Sequence, residues 1–494
     1  MTVATTKSKT PPAIVQEVTN PKPPQRILII GGGYAGFYTA WKLEKLLGRN
    51  EAEVTMVDPL PYMTYQPFLP EVAAGSIEPR HVVVSHRQHL KKTNMVSGKL
   101  QKVNHKTRKA TIGVDGGKDK VIEYDQIVMT AGAVTRTFPI KGIAEEAIGL
   151  KTIEEAVEVR NRLIGNFERA AALPKNSKLR QRLLTVLVVG GCFAGSEAFA
   201  ELRSAATHLL RYYPEIDFDD VQFHLIEAMG RIMPEVNEKT ANWVVNNLNS
   251  RAGYVHLNTQ VLSAEKGVVK LSTGETMESN LIIWTAGVAA APVAKNSSFP
   301  LDERFRIIAN AKLQILENGE PIEGSWTAGD VSAVPDLTGG GVGGYCVPNA
   351  QHAVRQAKLL AKNIVATIRG EQIREYRWKT IGAVAGLGIG VGAIKVGNFG
   401  MTGFLPWIAH RGYHGLAMPT WERKIRVVAG WVWNALLGRD LVTIEEALRY
   451  LAGKYGIEIE EKEQTPEEEQ AANERESLYI VSKFAAEYFH KQLE

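Results

Sequence analysis

Two strand–glycine turn–helix units, about 160 residues apart, constrain this 494-residue chain more than any other feature. The first has the sequence RILIIGGGYAGFYTAWKLEKLL and the second has LLTVLVVGGCFAGSEAFAELRSAATHLL. Each unit is an apolar run of strand length, a glycine turn and a helix-compatible stretch, which is typical of a dinucleotide-binding βαβ unit. Because the spacing is too long for a solenoid repeat, the sequence predicts an α/β fold with two Rossmann-like domains.

The first turn carries a complete GxGxxG motif. In such a motif the first glycine permits the tight turn, the second admits a pyrophosphate, and the third allows close helix–strand packing. Asp58 ends the next strand, where a carboxylate suits a ribose 2′-hydroxyl. The motif serves FAD and NAD alike, and a glycine turn without a ligand is the plainer alternative. The candidate cofactor-binding residues here are Gly31, Gly33, Tyr34, Ala35 and Gly36.

The second turn departs from the motif, because Cys192 replaces the middle glycine between Gly190 and Gly195. A side chain at this position crowds the closest approach of a pyrophosphate, so this domain either binds a dinucleotide or has lost that ability. Glu227 ends the following strand and would select an unphosphorylated ribose. Glu197 lies in the first helical turn, as a functional acid or simply as a helix-end carboxylate.

The composition excludes several classes of function. The formal charge of +5, from 58 basic and 53 acidic residues, is too small to predict nucleic-acid binding. The two cysteines, Cys192 and Cys346, form no CxxC motif, and the eleven histidines have no metal-ligand spacing. We therefore expect no metal site and a reducing compartment.

Seven segments together resemble one known family, the type II NADH dehydrogenases (single-subunit NADH:quinone oxidoreductases) of the two-dinucleotide-binding-domain flavoproteins. The resemblance covers roughly residues 25–450. It implies that a hydride passes from NADH to FAD and two electrons pass on to a membrane quinone of the respiratory chain, without proton pumping. The matching segments are IIGGGYAG (29–36), YQPFLPEVAAG (65–75), YDQIVMTAGA (124–133), GGCFAGSE (190–197), IIWTAGV (282–288), WTAGDVSAVPD (326–336) and PNAQHAVRQAKLLAKNI (348–364).

The resemblance also implies roles for individual residues. The first loop with Asp58 would hold the ADP half of FAD, and the second domain would bind NADH, with Glu227 on the adenine ribose. The catalytic candidates are Glu197, near the nicotinamide, and Gln351, near the flavin at the quinone site. Further positions that the resemblance places around FAD are Gln66, Ala131, Gly132, Gly329, Asp330 and Ala350.

The quinone motif of that family, AQxxxQ, is altered here. Arg355 occupies the second glutamine position and Gln356 follows it, rotated by about 100° around the helix. Arg355 would either stabilise a reduced quinone anion or be an ordinary surface residue.

Two other functions stay open. Sulfide:quinone oxidoreductases, of the same superfamily, use widely spaced cysteines beside the flavin, which Cys192 and Cys346 resemble. A non-enzymatic flavoprotein that no longer binds NADH is the second alternative.

The C-terminal region suggests a membrane surface. Residues 377–454 carry a net charge of +6, whereas residues 455–494 carry −7. A helix over Thr420–Leu437 would place Trp421, Ile425, Val428, Val432 and Leu436 on one face. We expect peripheral attachment to anionic lipid on the cytoplasmic side of the cell membrane. The alternative is packing on the protein's own core or on a second subunit, as in a homodimer.

These observations divide the chain into six predicted segments. The Gly-rich run Ile381–Gly392 has no physical assignment, and the acidic tail either shields the basic segment or acts as a solvated spacer. The segments are a disordered leader (1–24), the first part of the FAD-binding domain (25–148), the NAD(P)H-binding domain (149–290), the second part of the FAD-binding domain (291–385), an amphipathic membrane-associating region (386–457), and an acidic tail with a terminal helix (458–494).

Overall fold

A computed structural model describes residues 23–442, except Asp115, Ile381 and Asn398. Nearly all of the predicted leader lies outside the described residues. The acidic tail with its predicted terminal helix (458–494) also lies outside them.

The described residues form 26 strands. They are β1 (Gln25–Ile30), β2 (Ala52–Asp58), β3 (Tyr62–Thr64), β4 (Val83–Ser85), β5 (Thr93–Ser97), β6 (Lys99–Asn104), β7 (Lys109–Gly113), β8 (Lys120–Glu123), β9 (Gln126–Met129), β10 (Ala133–Thr135), β11 (Ala147–Ile148), β12 (Thr185–Val189), β13 (Gln222–Ile226), β14 (Gly253–His256), β15 (Val261–Glu265), β16 (Val268–Leu271), β17 (Thr276–Glu278), β18 (Leu281–Trp284), β19 (Val288–Ala290), β20 (Ile307–Ile308), β21 (Gln314–Glu317), β22 (Glu320–Thr327), β23 (Ser332–Ala333), β24 (Gly382–Gly386), β25 (Gly392–Val396) and β26 (Phe399–Gly403).

Eleven α-helices accompany these strands in the described part of the chain. They are α1 (Tyr34–Leu46), α2 (Leu69–Ala73), α3 (His86–His89), α4 (Ile143–Glu146), α5 (Ile153–Ala171), α6 (Lys178–Leu183), α7 (Phe193–Leu209), α8 (Glu238–Asn249), α9 (Ala350–Arg369), α10 (Phe404–Ala417) and α11 (Trp421–Leu437).

The first domain is built on a six-stranded sheet with the order β21-β22-β9-β1-β2-β5. All pairs are parallel except β21–β22, so the carboxyl ends of β22, β9, β1 and β2 meet at one edge. α1 and α9 pack together on one face through a core that includes Phe37 and Leu360. The β6–β8 sheet covers the other face, with Leu28 and Ile112 in the shared core. Burial on both faces explains why β1 is a continuous apolar run.

The second domain repeats this architecture with the sheet β11-β18-β12-β13-β14, which is parallel throughout. α5 and α7 cover one face and the β15–β17 sheet covers the other. The prediction of two Rossmann-like α/β domains is therefore confirmed. The second sheet begins with Ala147–Ile148, just before the predicted boundary at residue 149. The antiparallel pair β10–β19 connects the two domains.

The C-terminal unit begins with an antiparallel sheet, β24-β25-β26, followed by α10 and α11. The Gly-rich run without an assignment supplies β24 and the start of β25. A Cβ atom at Gly392 would lie 2.5 Å from the backbone nitrogen of Trp407, so glycine lets the sheet approach α10 closely. β24 spans the predicted boundary between residues 385 and 386.

α11 packs against the rest of the protein through its polar face. Asn434 donates to the carbonyl of Ser76 at 2.7 Å, Trp431 Nε1 donates to Glu71 at 2.9 Å, and Arg423 donates to the carbonyl of Arg80. The predicted apolar stripe points outward: Trp421 is 75 % and Leu436 70 % exposed. The alternative that this stripe packs on the chain's own core is thus wrong for the described residues. None of the helices described is long and apolar enough to cross a bilayer.

A buried ion pair holds the end of this unit against the second domain. Arg439 lies 3.2 Å from Glu201 on α7, and both side chains are almost fully buried. Arg439 also donates to the carbonyl of Ala74 at 3.1 Å, so one guanidinium joins three parts of the structure.

We expect Arg439→Met to lower the free energy of unfolding by about 3–5 kcal/mol, because it leaves the Glu201 carboxylate buried without its partner. The midpoint of urea unfolding, followed by tryptophan fluorescence, measures the change. The control is Arg426→Met, whose partner Glu422 is on the exposed part of α11; its cost should stay below about 1 kcal/mol. Equal midpoints for the two variants would contradict the assignment.

Candidate functional site

The first glycine loop joins β1 to α1 at the carboxyl edge of the first sheet. Gly31 has φ +96°, a conformation that favours glycine. A Cβ atom on Gly36 would collide with the carbonyl oxygen of Gly31, so the third glycine is required by packing. Asp58, at the end of β2, accepts a 2.5 Å hydrogen bond from the N–H of Gly32. The carboxylate therefore lies directly beside the turn.

The second loop has the same backbone conformation and the corresponding contacts. Gly190 has φ +108°, and a Cβ atom on Gly195 would collide with the carbonyl of Gly190. Glu227, at the end of β13, accepts a 2.6 Å hydrogen bond from the N–H of Gly191. Both acids also accept from the backbone two residues further on, Asp58 from Leu60 and Glu227 from Met229. The second domain has thus kept the frame of a nucleotide loop.

Cys192 fits this frame without strain. Its φ of −66° and ψ of −178° are close to the −68° and −158° of Gly33, so the backbone conformation does not require glycine. Its Sγ donates to the carbonyl of Thr285 at 3.5 Å. The substitution therefore leaves the loop intact and affects only the space available to a ligand.

Three threonines that the sequence analysis did not single out support these turns. Thr130 donates to the carbonyls of Ile30 and Gly31 at 2.9 and 3.0 Å. Thr285 makes the same pair of contacts in the second domain, to Val189 at 3.0 Å and Gly190 at 2.9 Å. Thr327 donates to Met129 at 2.8 Å. The Thr-Ala-Gly sequence recurs at all three positions, and this repetition could have identified the three threonines from the sequence.

The turns after β1, β9 and β22 converge, because these strands are neighbours in the first sheet. Ala131 and Gly132 follow β9, and a Cβ atom on Gly31 would lie 2.7 Å from the Cα of Ala131. A Cβ atom on Gly329 would lie 3.1 Å from the Cβ of Ala35. The first loop and two of the predicted flavin-binding turns therefore form one cradle.

This cradle fits a dinucleotide such as FAD. No side chain caps the amino terminus of α1, and its first turn contains no acidic residue. The free N–H groups and the helix dipole there favour an anion such as a pyrophosphate. Cβ atoms at Gly33 and Gly132 would meet no protein atom within 4 Å, so both glycines face open space. The residues present thus match the group that the resemblance implies.

Asp330 lies at the inner end of the cradle, after Gly329. Burial raises the pKa of its carboxyl group, and Lys151, 3.7 Å away, opposes that shift. Gln66 donates to the carbonyl of Lys151 at 3.0 Å. Lys151 precedes α5 of the second domain and therefore links both domains to the cradle. Sequence reasoning missed it, since no motif surrounds this lysine.

α9 begins beside the same turn. Ala350 is its first residue, and Asn349 caps it by accepting from the N–H of His352 at 2.8 Å. Gln356 is buried and accepts a 2.8 Å hydrogen bond from the N–H of Gly329. This glutamine therefore supports the cradle.

Gln351 and Arg355 lie in the first two turns of α9. Both are half-buried, and Arg355 donates to the carbonyl of Gln351 at 2.9 Å. The Arg355 guanidinium stacks on the ring of Trp378, with 4.0 Å to the ring centroid. These contacts give Arg355 a packing role that needs no quinone.

Glu197 is the fifth residue of α7, so the prediction that it lies in the first helical turn is wrong, and its side chain points toward the C-terminal unit. Its carboxylate accepts from the N–H of Gly386 at 2.9 Å and lies 3.4 Å from Nε2 of His410 on α10. No sequence pattern predicts this pairing, since 213 positions separate the two residues.

The two cysteines lie in different surroundings. Cys192 is in the second loop, whereas Cys346 is beside Gly329 and His352 in the first domain. Both are free thiols, and Cys346 Sγ lies 3.7 Å from the carbonyl of Pro335. Burial raises the pKa of Cys192 and raises that of Cys346 to about 11. Neither thiol is activated as a nucleophile. Within residues 23–442, apart from the three gaps, no group of three ligand side chains could hold a metal.

Several known proteins are similar to this chain in sequence or in fold. The pyridine nucleotide-disulphide oxidoreductase family matches residues 25–357. A probable NADH dehydrogenase of Dictyostelium discoideum is 26 % identical over 424 residues, which cover 84 % of this chain and 91 % of that protein. A type II NADH:quinone oxidoreductase of Staphylococcus aureus is 28 % identical over 378 residues, 75 % of this chain and 90 % of that one. The structure of NDH2 from Plasmodium falciparum in complex with NADH has a TM-score of 0.78 at 18 % identity, covering 85 % of this chain and 100 % of that chain.

We expect Gly33→Ala to fold normally but to lose flavin, since the new methyl group enters open space that a pyrophosphate would occupy. The dissociation constant for FAD should rise at least tenfold, or about 1.4 kcal/mol. Gly36→Ala should lose both flavin and thermal stability, because its Cβ meets the loop backbone. Flavin absorbance and circular dichroism melts measure the two effects.

Gly165→Ala on α5 is the matched control, because a Cβ atom there also meets nothing within 4 Å but lies outside the cradle. This variant should keep full flavin content. Full flavin content in Gly33→Ala would show that the cradle does not hold the cofactor.

Proposed function

The chain belongs to the pyridine nucleotide-disulphide oxidoreductase family, and we propose that it is an FAD-dependent NADH:quinone oxidoreductase attached to a membrane surface. The observation that carries this proposal is the duplicated loop, in which two adjacent sheets each place a glycine turn, a helix start and a carboxylate together. A chain with two such loops can hold two dinucleotides, one in each domain. Relatives named NADH dehydrogenase and NADH:quinone oxidoreductase support the assignment of the donor and the acceptor.

The residues of the chain would bind and orient the two nucleotides. The start of α1 would bind the pyrophosphate of FAD, Asp58 its ribose, and Asp330 with Gly132 its inner half. Glu227 would bind the adenine ribose of NADH and disfavour a 2′-phosphate. When bound, FAD supplies a two-electron carrier between NADH and the quinone.

The acceptor would enter from the C-terminal face. α10 and α11 enclose a groove of about 820 Å³ that opens on the surface. Most of its lining side chains are apolar or aromatic, with two cations, Arg411 and Lys424. Large apolar side chains that are exposed together on one face mark an interaction site. The lining includes Trp407, Ile408, Leu416, Trp421, Ile425, Val428, Trp431, Val432 and Trp433.

We assign this face to lipid, because a quinone is delivered from a bilayer and because the tryptophans and cations suit headgroup depth. Lys424 would meet anionic headgroups on the cytoplasmic side, whereas Arg411 is mostly buried and pairs with Glu71. A second copy of the chain is the other partner that would cover such a face.

We expect NADH to bleach the flavin absorbance of the purified protein under anaerobic conditions, and a soluble quinone analogue to restore it. Stopped-flow spectroscopy measures both half-reactions. NADPH should react at least tenfold more slowly, because Glu227 repels a 2′-phosphate.

Sodium sulfide is the control reductant. Bleaching by sulfide without bleaching by NADH would replace this proposal with sulfide oxidation through Cys192 and Cys346. A flavin that neither reagent reduces would indicate a non-enzymatic flavoprotein.

We expect Trp421→Ser combined with Leu436→Ser to weaken binding to phosphatidylglycerol-containing vesicles at least about tenfold, since each buried large apolar side chain contributes about 1.5–3 kcal/mol. Co-sedimentation measures the bound fraction. The control pair is Met229→Ser with Leu262→Ser, which are similarly exposed at 61 % and 56 % but belong to the second domain. If the first pair abolishes a dimer in light scattering and leaves vesicle binding intact, the face belongs to a second copy.

A further inference from the structure

A cluster of arginines lies beside the exposed apolar stripe of α11. It is built from two segments that are far apart in sequence, the short turn Pro79–His81 of the first domain and the first two turns of α11. Its cations are Arg80, Arg423 and Arg426. Neither the nucleotide loops nor the lining of the apolar groove includes these three residues, so the cluster has no role in the sites described above.

The apolar stripe and the cluster share the start of α11. Trp421 and Ile425 are four positions apart, so they lie on one face of the helix, and both are largely exposed. Arg426 follows Ile425 by one position, which is about 100° around the helix, and 51 % of its side chain is exposed. This arginine therefore borders the apolar stripe at the surface.

Three positive charges surround His81. Burial lowers the pKa of this histidine, and the charges of Arg426, Arg423 and Arg80 lower it further. The carboxylate of Glu78 acts in the opposite direction on the same pKa. The Nδ1 atom of His81 is buried and has no hydrogen-bond partner among the residues that the structure describes. The three guanidinium groups therefore lie around one neutral imidazole ring, where they repel one another.

The carboxylates of the cluster balance only part of its charge. Glu422 lies 3.1 Å from Nε of Arg426 and 3.8 Å from a terminal nitrogen of Arg423. Arg80 is exposed and makes no ion pair with any residue in the described part of the chain. When Glu78 is counted as well, three cations face two carboxylates, which leaves 3 − 2 = +1. The cluster can therefore accept one more negative charge.

Arg423 is already held in place within this cluster. Only 14 % of its side chain is exposed, and it donates to the carbonyl of Arg80, which joins α11 to the turn before His81. Its Nε is buried without a hydrogen-bond partner in the described ranges. A guanidinium fixed in this way is pre-organised, since little side-chain entropy remains to be lost when an anion binds.

The chemistry of these side chains fits a phosphate group. Guanidinium groups bind phosphate through paired N–H···O bonds, and such charge-assisted hydrogen bonds are short and strong. A tetrahedral phosphate also presents its oxygens in several directions, so it can contact guanidinium groups that come from two different segments. The phosphates available at the depth of the apolar stripe are those of lipid headgroups.

We propose that Arg80, Arg423 and Arg426 form a binding site for the phosphate group of a lipid headgroup. The proposal rests on the membrane attachment proposed above, since the apolar stripe places the cluster at headgroup depth. It goes beyond that attachment, because it assigns the recognition of one chemical group to three residues. The acyl chains would lie along Trp421 and Ile425, and the phosphate would lie between Arg426 and Arg80.

Substitution of arginine by lysine separates this site from general electrostatic attraction, because lysine keeps the charge but cannot form the paired hydrogen bonds. The test uses vesicles of digalactosyldiacylglycerol, a phosphate-free lipid, that contain phosphatidic acid. We expect Arg80→Lys combined with Arg426→Lys to bind them about tenfold more weakly than wild type, the effect of one lost charge-assisted interaction. Co-sedimentation measures the bound fraction.

Vesicles in which oleate replaces phosphatidic acid, at the same zeta potential, provide the comparison. The lysine variant should bind these vesicles as wild type does, because they carry negative charge without phosphate. The matched control is Arg49→Lys combined with Arg304→Lys, since both arginines are exposed in the first domain and lie outside the cluster. This control variant should bind both kinds of vesicle as wild type does.

Inorganic phosphate tests the other source of the same group. Isothermal titration calorimetry compares potassium phosphate with potassium chloride at constant ionic strength, without vesicles. Binding of free phosphate by the wild type, together with equal binding to both kinds of vesicle, would overturn the assignment to lipid. The ligand would then be a soluble phosphate.

The remaining outcomes distinguish failure of the site from failure of the function. Unchanged binding of the lysine variant to phosphatidic acid vesicles, or equal losses on both kinds of vesicle, would overturn the phosphate site alone. A wild-type protein that binds neither kind of vesicle would overturn the membrane attachment. The two flavin half-reactions described above test the enzymatic function separately.

Discussion

The close contact between the end of a strand and the start of a helix is the constraint on which both nucleotide loops depend. At Gly36 and Gly195 no Cβ atom fits, because the carbonyl of the turn occupies its place. This contact sets each helix start at the sheet edge, and the carboxylate of the next strand then fixes the turn through the N–H of Gly32 or Gly191. The cradle and the proposed nucleotide binding both follow from this local packing.

The sequence predicted those parts of the molecule that local rules govern. Glycine spacing and apolar runs predicted the two loops and the helices that follow them, α1 and α7. The glycine motif also located Asp58 and Glu227, because an acid at the end of the next strand has a fixed spacing. Such features need only the neighbouring residues to form.

Contacts between distant segments were beyond sequence reasoning. Lys151 beside Asp330 and His410 beside Glu197 depend on how domains pack, and no local pattern encodes either pair. The orientation of α11 was ambiguous for the same reason: an amphipathic stripe shows that a helix has two faces, but only the partners of Asn434 and Trp431 show which face is inside.

The antiparallel pair β10–β19 has a mechanical consequence. The chain enters the second domain through Ala133–Thr135 and returns through Val288–Ala290, with the two strands hydrogen-bonded side by side. Sliding one strand past the other would break these backbone hydrogen bonds, so the pair fixes the register in which the chain enters and leaves the second domain. The core that α2 shares with α5 and α7 is a second attachment. The two nucleotide loops therefore belong to domains that are joined at two separate places.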